Sequence, residues 1–411
     1  MSAADATSAA EPAAKRHARV WVGRAALVTL TTVLSLALAE LALRALGVGD
    51  PILRGPDPVL GWAPIPDTQG TWTREGRSDV RIGPYGFRGV DVAPGPPPEG
   101  TLRVAILGDS YTEAKEVEED ERFAAHAERA LQRCVGSAEV LAFGVAGYGT
   151  AQEYLLLRHR VRRWEPDVVL VAFLSGNDVA DNHAALRTSG DPAPYYAIED
   201  GRLVLDDSFR ESEAYAARAQ LTFLGRARRS SRLMQLVGRA LDGGSARADG
   251  ATELGLRSEI YAPPAEPAWR EAWERTEALL ARMNEEETAR GARFGVITLT
   301  NAIQVAPTEE ERAASARALG VPDLSYPDRR IAEAGARDGY PVLSLVTPLG
   351  TYALEHRAYL HGFENTEWGA GHWNAEGHRV AGERIGRWLC ARLGANGAWA
   401  RDPAEELPRG N

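Results

Sequence analysis

A short apolar run that ends at a serine constrains the fold more than any other stretch. Residues 102–107 are apolar and partly β-branched, which is typical of a strand buried on both faces. Gly108 breaks the run, as a tight turn requires, and brings Asp109 and Ser110 to the strand's carboxyl end. Ligands of open α/β sheets bind at that end. Ser110 is therefore a candidate nucleophile, and a helix-capping serine is the alternative.

The chain beyond this strand alternates apolar runs with segments of helical periodicity. Four more strands are predicted, at residues 140–143, 168–174, 294–299 and 341–345. Helices are predicted between and after them, at 120–134, 150–164, 268–290, 308–319, 326–338 and 374–393. Strands separated by helices indicate a parallel, doubly wound sheet. We therefore expect a flavodoxin-like α/β domain with five strands.

Three further motifs follow the serine in chain order. Gly147 lies in a glycine-rich stretch after the second strand, and Asn177 lies in Ser175-Gly-Asn-Asp178 after the third. His372 lies just before the last predicted helix. Serine, glycine, asparagine and histidine in this order resemble the SGNH (GDSL-type) hydrolase family, over roughly residues 100–395. Together with the apolar N-terminal run described below, the chain resembles a membrane-anchored member of that family.

The resemblance implies a catalytic mechanism and a set of site residues. Ser110 would form an acyl-enzyme, with His372 as its base. The oxyanion would be bound by the backbone N–H groups of Ser110 and Gly147 and by the side-chain amide of Asn177. Gly144 is the alternative to Gly147. No cofactor or metal is implied.

Two aspartates belong to the same motifs. Asp109 precedes Ser110, and Asp178 follows Asn177. We interpret both as hydrogen-bond acceptors that order their loops rather than as catalysts.

The third member of the catalytic set departs from the family pattern. The usual aspartate lies two or three residues before the histidine, but Ala370 and Gly369 occupy those positions. The nearest carboxylates upstream are Glu367 and Glu364. We expect one of these, or a backbone carbonyl, to orient His372. The N-terminus of the last helix lies close to His372, so we also expect a neutral imidazole at pH 7.

The N-terminal region carries a candidate membrane anchor. Residues 1–19 are predicted to be an unstructured cytoplasmic tail, and residues 20–46 approach the ~20 apolar residues that span a bilayer. The cluster of basic residues Lys15, Arg16, Arg19 and Arg24 lies toward the N-terminal side of this run, so the remaining chain should lie outside the cytoplasm. A signal peptide cleaved after Ala39 is the alternative.

The remaining segments complete the predicted domain organisation. Residues 47–100 are expected to form a Pro/Gly-rich linker with a short hairpin, and residues 101–395 the hydrolase domain. An insertion at about 183–264 contains arginines at 226–232, which suit either a lid for an anionic substrate or a solvated helix. Residues 396–411 are expected to be a disordered tail.

Composition narrows the functional class. The 411 residues carry a net charge of −10 without a basic stripe, which argues against a nucleic-acid partner. Two cysteines exclude a disulfide-rich scaffold. Cys134 and Cys390 lie near the ends of the first and last domain helices, so a bridge and two buried thiols both remain open.

Together these features predict a membrane-anchored extracytoplasmic serine esterase. Its substrate would be a small acyl ester, acetyl by resemblance, and by analogy carried on carbohydrate. One alternative is an O-acyltransferase that modifies an extracellular polysaccharide together with a membrane acyltransferase partner. Another is a catalytically degenerate carbohydrate-binding protein.

Overall fold

The computed structural model describes residues 13–46, 53–220, 231–241 and 255–393. The predicted C-terminal tail and residues 1–12 lie outside this range. The chain divides into two compact units, one of residues 1–49 and 222–249 and one of residues 50–221 and 250–411.

The strands and helices follow one another along the whole described chain. The strands are β1 (Arg54–Asp57), β2 (Gly61–Pro64), β3 (Gln69–Trp72), β4 (Ser78–Arg81), β5 (Leu102–Gly108), β6 (Ala138–Gly144), β7 (Val168–Phe173), β8 (Tyr195–Glu199), β9 (Arg202–Asp206), β10 (Arg293–Thr298) and β11 (Val342–Ser344). The helices are α1 (Ala13–Ala45), α2 (Ser110–Glu113), α3 (Phe123–Val135), α4 (Thr150–His159), α5 (Glu213–Gln220), α6 (Arg232–Leu241), α7 (Pro267–Ala289), α8 (Glu309–Leu319), α9 (Tyr326–Asp338), α10 (Val346–His356) and α11 (Ala375–Arg392).

A five-stranded parallel sheet forms the centre of the larger unit, which confirms the predicted fold class. Its strand order is β11-β10-β7-β5-β6, the flavodoxin-like order. β5 lies between β6 and β7, in parallel register with both. The apolar runs of β5 and β7 are buried on both faces because helices cover the two sides of the sheet.

The first and last helices of this unit pack together on one side of the sheet. Gly382 and Gly386 of α11 lie against α3, where a Cβ atom would overlap the α3 backbone. A disulfide joins Cys134 to Cys390, with 6.1 Å between their Cα atoms. The bridge therefore settles the alternative that the sequence left open.

The smaller unit contains α1 and α6. Trp21–Ala45 has a mean hydropathy of 2.0 and is long and apolar enough to cross a membrane. α1 begins at Ala13, so part of the tail predicted at residues 1–19 is helical. The Glu40 carboxylate accepts hydrogen bonds from the backbone N–H groups of Arg232 and Leu233 at the start of α6.

The segment before the sheet is ordered and packs within the larger unit. β1 pairs with β2, and β3 with β4, each antiparallel. Trp62 and Phe87 are buried in the core that lies beneath this segment. The insertion at 183–264 contributes the β8–β9 hairpin and α5. Its arginines at 226–229 lie outside the described residues.

Candidate active site

Ser110 lies at the junction between strand β5 and the short helix α2. The Asp109 carboxylate accepts a hydrogen bond of 2.9 Å from the backbone N–H of Tyr111 and so caps α2. Ser110 is the first residue of α2, so its N–H has no acceptor within the helix. Gly108 lies so close to Thr112 that a Cβ would overlap the threonine side chain. The chain can therefore turn sharply and present the Ser110 hydroxyl at the carboxyl edge of the sheet.

His372 reaches that hydroxyl from the loop before α11. Its Nε2 lies 2.8 Å from Ser110 Oγ, within hydrogen-bond reach of a general base. Two contacts fix the loop: Tyr111 donates to the Gly371 carbonyl (3.0 Å), and the Asn374 side chain caps α11 by accepting from Gly377 N–H (3.0 Å). Residues 262 positions apart in the sequence are thus brought together.

The carboxylate beside His372 is Glu75, which corrects the expectation of Glu364 or Glu367. Glu75 Oε2 lies 2.6 Å from His372 Nδ1, and Glu75 Oε1 accepts a 2.6 Å hydrogen bond from the His372 backbone N–H. Glu364 and Glu367 are exposed to solvent. The expected alternative, a backbone carbonyl that orients His372, is also wrong, because Glu75 Oε2 is the hydrogen-bond partner of His372 Nδ1.

Glu75 belongs to the turn between β3 and β4, far from His372 in the sequence. The Asn365 side chain clamps this turn: it accepts from Gly76 N–H (2.9 Å) and donates to the carbonyls of Thr73 (3.1 Å) and Gly76 (3.0 Å). Gly371 has a φ of +72°, and a Cβ there would overlap Glu75 Oε1. A glycine before the histidine therefore gives the carboxylate room to approach.

Sequence reasoning missed Glu75 because the family pattern places the acid next to the histidine. One signal was available. The polar residues 74–77 join the two strands of the predicted hairpin, and Glu75 is the only carboxylate among them.

The charges around His372 reverse the expectation of a neutral imidazole at pH 7. Burial lowers the pKa of His372, but the negative charges of Glu116 and Glu75 outweigh it and raise the pKa to about 9. Burial also raises the pKa of Glu75, yet its hydrogen bond to His372 leaves that pKa below its usual value. Two nearby carboxylates thus outweigh the partial positive charge of a helix N-terminus.

Glu75, Glu116 and His372 lie close enough to raise the question of a metal. Their ligand atoms lie within 4.8 Å of one another. However, the 2.6 Å between His372 Nδ1 and Glu75 Oε2 is a hydrogen-bond distance, and a cation would need metal–ligand distances of ~2 Å to each atom. We therefore interpret Glu75 and His372 as a hydrogen-bonded pair, with the Glu116 carboxyl group beside it.

The structure also locates the candidate oxyanion donors. Asn177 Nδ2 donates to Asp109 Oδ2 over 2.9 Å, which ties the turn after β7 to the turn that bears Ser110. Gly147 has a φ of +81°, and a Cβ there would meet only Trp62 and Arg54 at ordinary contact distance. Gly144 instead packs so tightly against the α2 backbone that a Cβ would overlap it. This close packing explains the glycine at 144 without an oxyanion role.

Three other buried polar residues hold the framework of the site. Asp178 Oδ2 accepts a 2.6 Å hydrogen bond from Leu174 N–H, and burial raises the pKa of Asp178 well above its usual value. His361 Nδ1 lies 2.9 Å from the Gly371 carbonyl, and burial lowers the pKa of His361 to about 4. His378 is fully buried against Phe123.

Comparison with solved structures finds matches of low sequence identity. An acetyl xylan esterase, AlAXEase, is 12% identical, with 69% of this chain and 98% of that chain covered at a TM-score of 0.35. A protein of the G-D-S-L family from Desulfitobacterium hafniense is 12% identical over 70% of this chain and 98% of that chain, at a TM-score of 0.32. TesA is 10% identical over 70% of this chain and 98% of that chain, at a TM-score of 0.35. No family model and no curated protein sequence matches the chain.

Proposed function

We propose that this chain is a serine esterase of the SGNH type. The observation that carries the proposal is that both ring nitrogens of His372 have a partner. Nε2 lies 2.8 Å from Ser110 Oγ, and Nδ1 lies 2.6 Å from Glu75 Oε2. A serine hydroxyl is a weak nucleophile until a base accepts its proton, and a base acts best when a carboxylate orients it.

The reaction follows from this geometry. Ser110 Oγ attacks the ester carbonyl while its proton passes to His372 Nε2, and Glu75 stabilises the imidazolium that forms. The Ser110 and Gly147 N–H groups and the Asn177 amide stabilise the developing oxyanion. The imidazolium then gives its proton to the leaving alkoxide. Water attacks the acyl-enzyme in the same way and regenerates Ser110.

Two independent observations support an extracytoplasmic, membrane-anchored location. The apolar side chains of α1, such as Leu30 and Leu34, are more than half exposed, and a bilayer would cover them. The disulfide between Cys134 and Cys390 favours an oxidising compartment. The basic residues Lys15, Arg16 and Arg19 precede the apolar stretch that begins at Trp21, which favours a larger unit outside the cytoplasm.

The substrate proposed is a small acyl ester, acetyl in the first instance, carried on an extracellular carbohydrate. The choice of the acyl group and of the carbohydrate is based on the resemblance to the family, not on the shape of a pocket. Hydrolysis and transfer to a sugar hydroxyl share every step up to the acyl-enzyme, so the acceptor is an outcome for experiment.

Hydrolysis assays on the full chain in detergent test the proposal. Aryl esters of increasing acyl length and acetylated oligosaccharides would be compared, with and without unacetylated sugar as acceptor. We expect turnover of short acyl esters that Ser110→Ala abolishes without loss of thermal stability. Equal turnover by the Ser110→Ala chain would refute a serine esterase.

A further inference from the structure

A second carboxyl group faces the imidazole of His372. Glu116 Oε1 is 3.9 Å from His372 Nδ1, and the Glu116 side chain is only 2% exposed. Its other oxygen, Oε2, has no hydrogen-bond partner among the described residues. Glu75 already orients the imidazole, so Glu116 is not needed for that purpose. A buried carboxyl group with an unsatisfied oxygen costs stability, and its place beside the base requires an explanation.

The backbone on both sides of Glu116 is held firmly in place. The buried guanidinium of Arg88 donates to the carbonyls of Ala114 and Val117, the latter over 2.7 Å. The turn that bears Glu75 lies against the same loop, because a Cβ at Gly76 would overlap the Glu116 carbonyl oxygen. The position of Glu116 beside His372 is therefore built into the fold.

The charged groups around this pair come from several elements. Glu75, Asp109 and His361 also act electrostatically on His372. Lys115 and Arg88 carry positive charge near Glu116, but Lys115 pairs with Glu113 at 3.2 Å and Arg88 binds backbone carbonyls. A cavity of about 420 Å³ beside Glu116 is also lined by Arg77, Glu121, Glu364 and Glu376. His372 acts more strongly on the Glu116 carboxyl group than Lys115 does, and the charge of His372 changes during the proposed reaction.

We propose that Glu116 is a positioning residue that acts through His372 and sets the pH at which this histidine becomes a base. This inference rests on the proposed function. Its negative charge stabilises the imidazolium that forms when Ser110 loses its proton. Glu116 exchanges no proton in the cycle: the Ser110 proton goes to Nε2 and from there to the leaving alkoxide. The same charge keeps His372 protonated over more of the neutral range, so the esterase works best in alkaline medium.

Electrostatics sets the direction of this effect. Burial raises the pKa of Glu116 above its usual value, although the positive charge of His372 opposes this rise. The pKa of about 9 at His372 reflects the same attraction, opposed by burial. Below that pH the fraction of His372 that can accept a proton falls about tenfold for each pH unit. Removing the Glu116 charge should therefore move the rise in activity to lower pH.

The test is the rate at which a fluorophosphonate labels Ser110 in the full chain in detergent, measured from pH 5 to about pH 10. The serine Oγ–P bond forms, the P–F bond breaks with loss of fluoride, and the serine proton goes to His372. The variant is Glu116→Gln, which keeps the side-chain volume and removes the charge. We expect its rate profile to move by about one pH unit toward lower pH, with labelling at pH 7 up to about tenfold faster.

Matched variants separate this effect from a change in packing. Glu364→Gln removes an exposed negative charge from the same cavity and should leave the profile where it is. Glu116→Met removes both the charge and the unsatisfied oxygen, so it should fold at least as well as the parent chain and shift the profile in the same direction.

Each outcome is decisive. An unshifted profile in both Glu116 variants, with normal labelling of the parent chain, would overturn the role of Glu116 alone. Absence of labelling in the parent chain across the whole pH range would instead overturn the proposed function. A shift in Glu364→Gln as large as that in Glu116→Gln would also overturn the inference, because the effect would not depend on the buried position.

Discussion

At the scale of single residues, the candidate site joins side chains that lie far apart in the sequence. Ser110 is buried at the end of β5, His372 lies in the loop before α11, and Glu75 lies in a hairpin turn 297 residues from the histidine. The short contacts among them make a specific prediction about the third member of the set.

We predict that Glu75→Gln slows ester hydrolysis by about 10²–10⁴-fold in kcat. The amide cannot stabilise imidazolium, and its NH₂ group can orient the histidine in the wrong tautomer. Steady-state kinetics with a short acyl ester measure the effect. Glu364→Gln and Glu367→Gln are the matched controls, because both glutamates are exposed and neither contacts His372. A loss in either control equal to that of Glu75→Gln would contradict the assignment.

Much of the site could be predicted from local sequence, and the missing part has a physical reason. Ser110, Asn177 and His372 each stand directly after a strand or before a helix, so periodicity and turn residues locate them. Glu75 is positioned by tertiary contacts, because its carboxylate is hydrogen-bonded to His372 and Asn365 holds the neighbouring Gly76. No local pattern encodes such contacts.

The disulfide and the charge balance at His372 were beyond sequence reasoning for a similar cause. The positions of Cys134 and Cys390 near the ends of two predicted helices left both a bridge and two buried thiols open, and the close packing of α11 on α3 decides between them. The pKa of His372 depends on Glu116 and Glu75, whose distances from the imidazole a sequence does not give.

At the scale of elements, the β3–β4 hairpin supplies the acid, and Asn365 holds the hairpin to the loop of the histidine. We predict that Asn365→Ala lowers kcat about tenfold or more, because a displacement of ~1 Å in a positioning group can cost ~10²-fold. KM should change little, since the hydrogen bonds of the Asn365 side chain among the described residues go to the turn that carries Glu75. Asn365→Asp keeps the acceptor for Gly76 N–H and should lose less activity. Equal kcat in all three chains would show that the clamp is unnecessary.

The bridge between α3 and α11 gives a prediction about stability. A disulfide that closes a loop of 256 residues stabilises the fold by up to about 5 kcal/mol in the chain-entropy model. We expect the Cys134→Ala/Cys390→Ala chain to unfold at lower denaturant concentration than the oxidised parent. Helices of a parallel α/β sheet run back toward the amino edge of the strands, so the bridge lies away from Ser110 and activity should persist.

Denaturant unfolding with and without reductant provides the control for the bridge. Reductant should destabilise the parent chain and leave the double variant unchanged. A double variant as stable as the oxidised parent would contradict the prediction.

At the scale of the whole molecule, α1 would tether the larger unit to a membrane. We predict that alkaline phosphatase fused to the C-terminus is active, because the basic residues before Trp21 should stay in the cytoplasm. A fluorescent protein that matures only in the cytoplasm is the matched fusion and should stay dark. An inactive phosphatase fusion together with a fluorescent protein fusion that lights up would instead place the C-terminus in the cytoplasm. N-terminal sequencing distinguishes a retained anchor from a chain that begins at Glu40.

The proposed esterase mechanism depends on Ser110 acting as a nucleophile. Intact-protein mass spectrometry after brief mixing with an activated acetyl ester tests this directly. We predict a mass gain of one acetyl group that maps to the peptide containing Ser110. The gain should be absent in Ser110→Ala, and it should persist longer in Glu75→Gln if deacylation slows more than acylation. Turnover of the ester with the acetyl group on another residue, or an unchanged mass gain in Ser110→Ala, would contradict the role of Ser110 as the nucleophile.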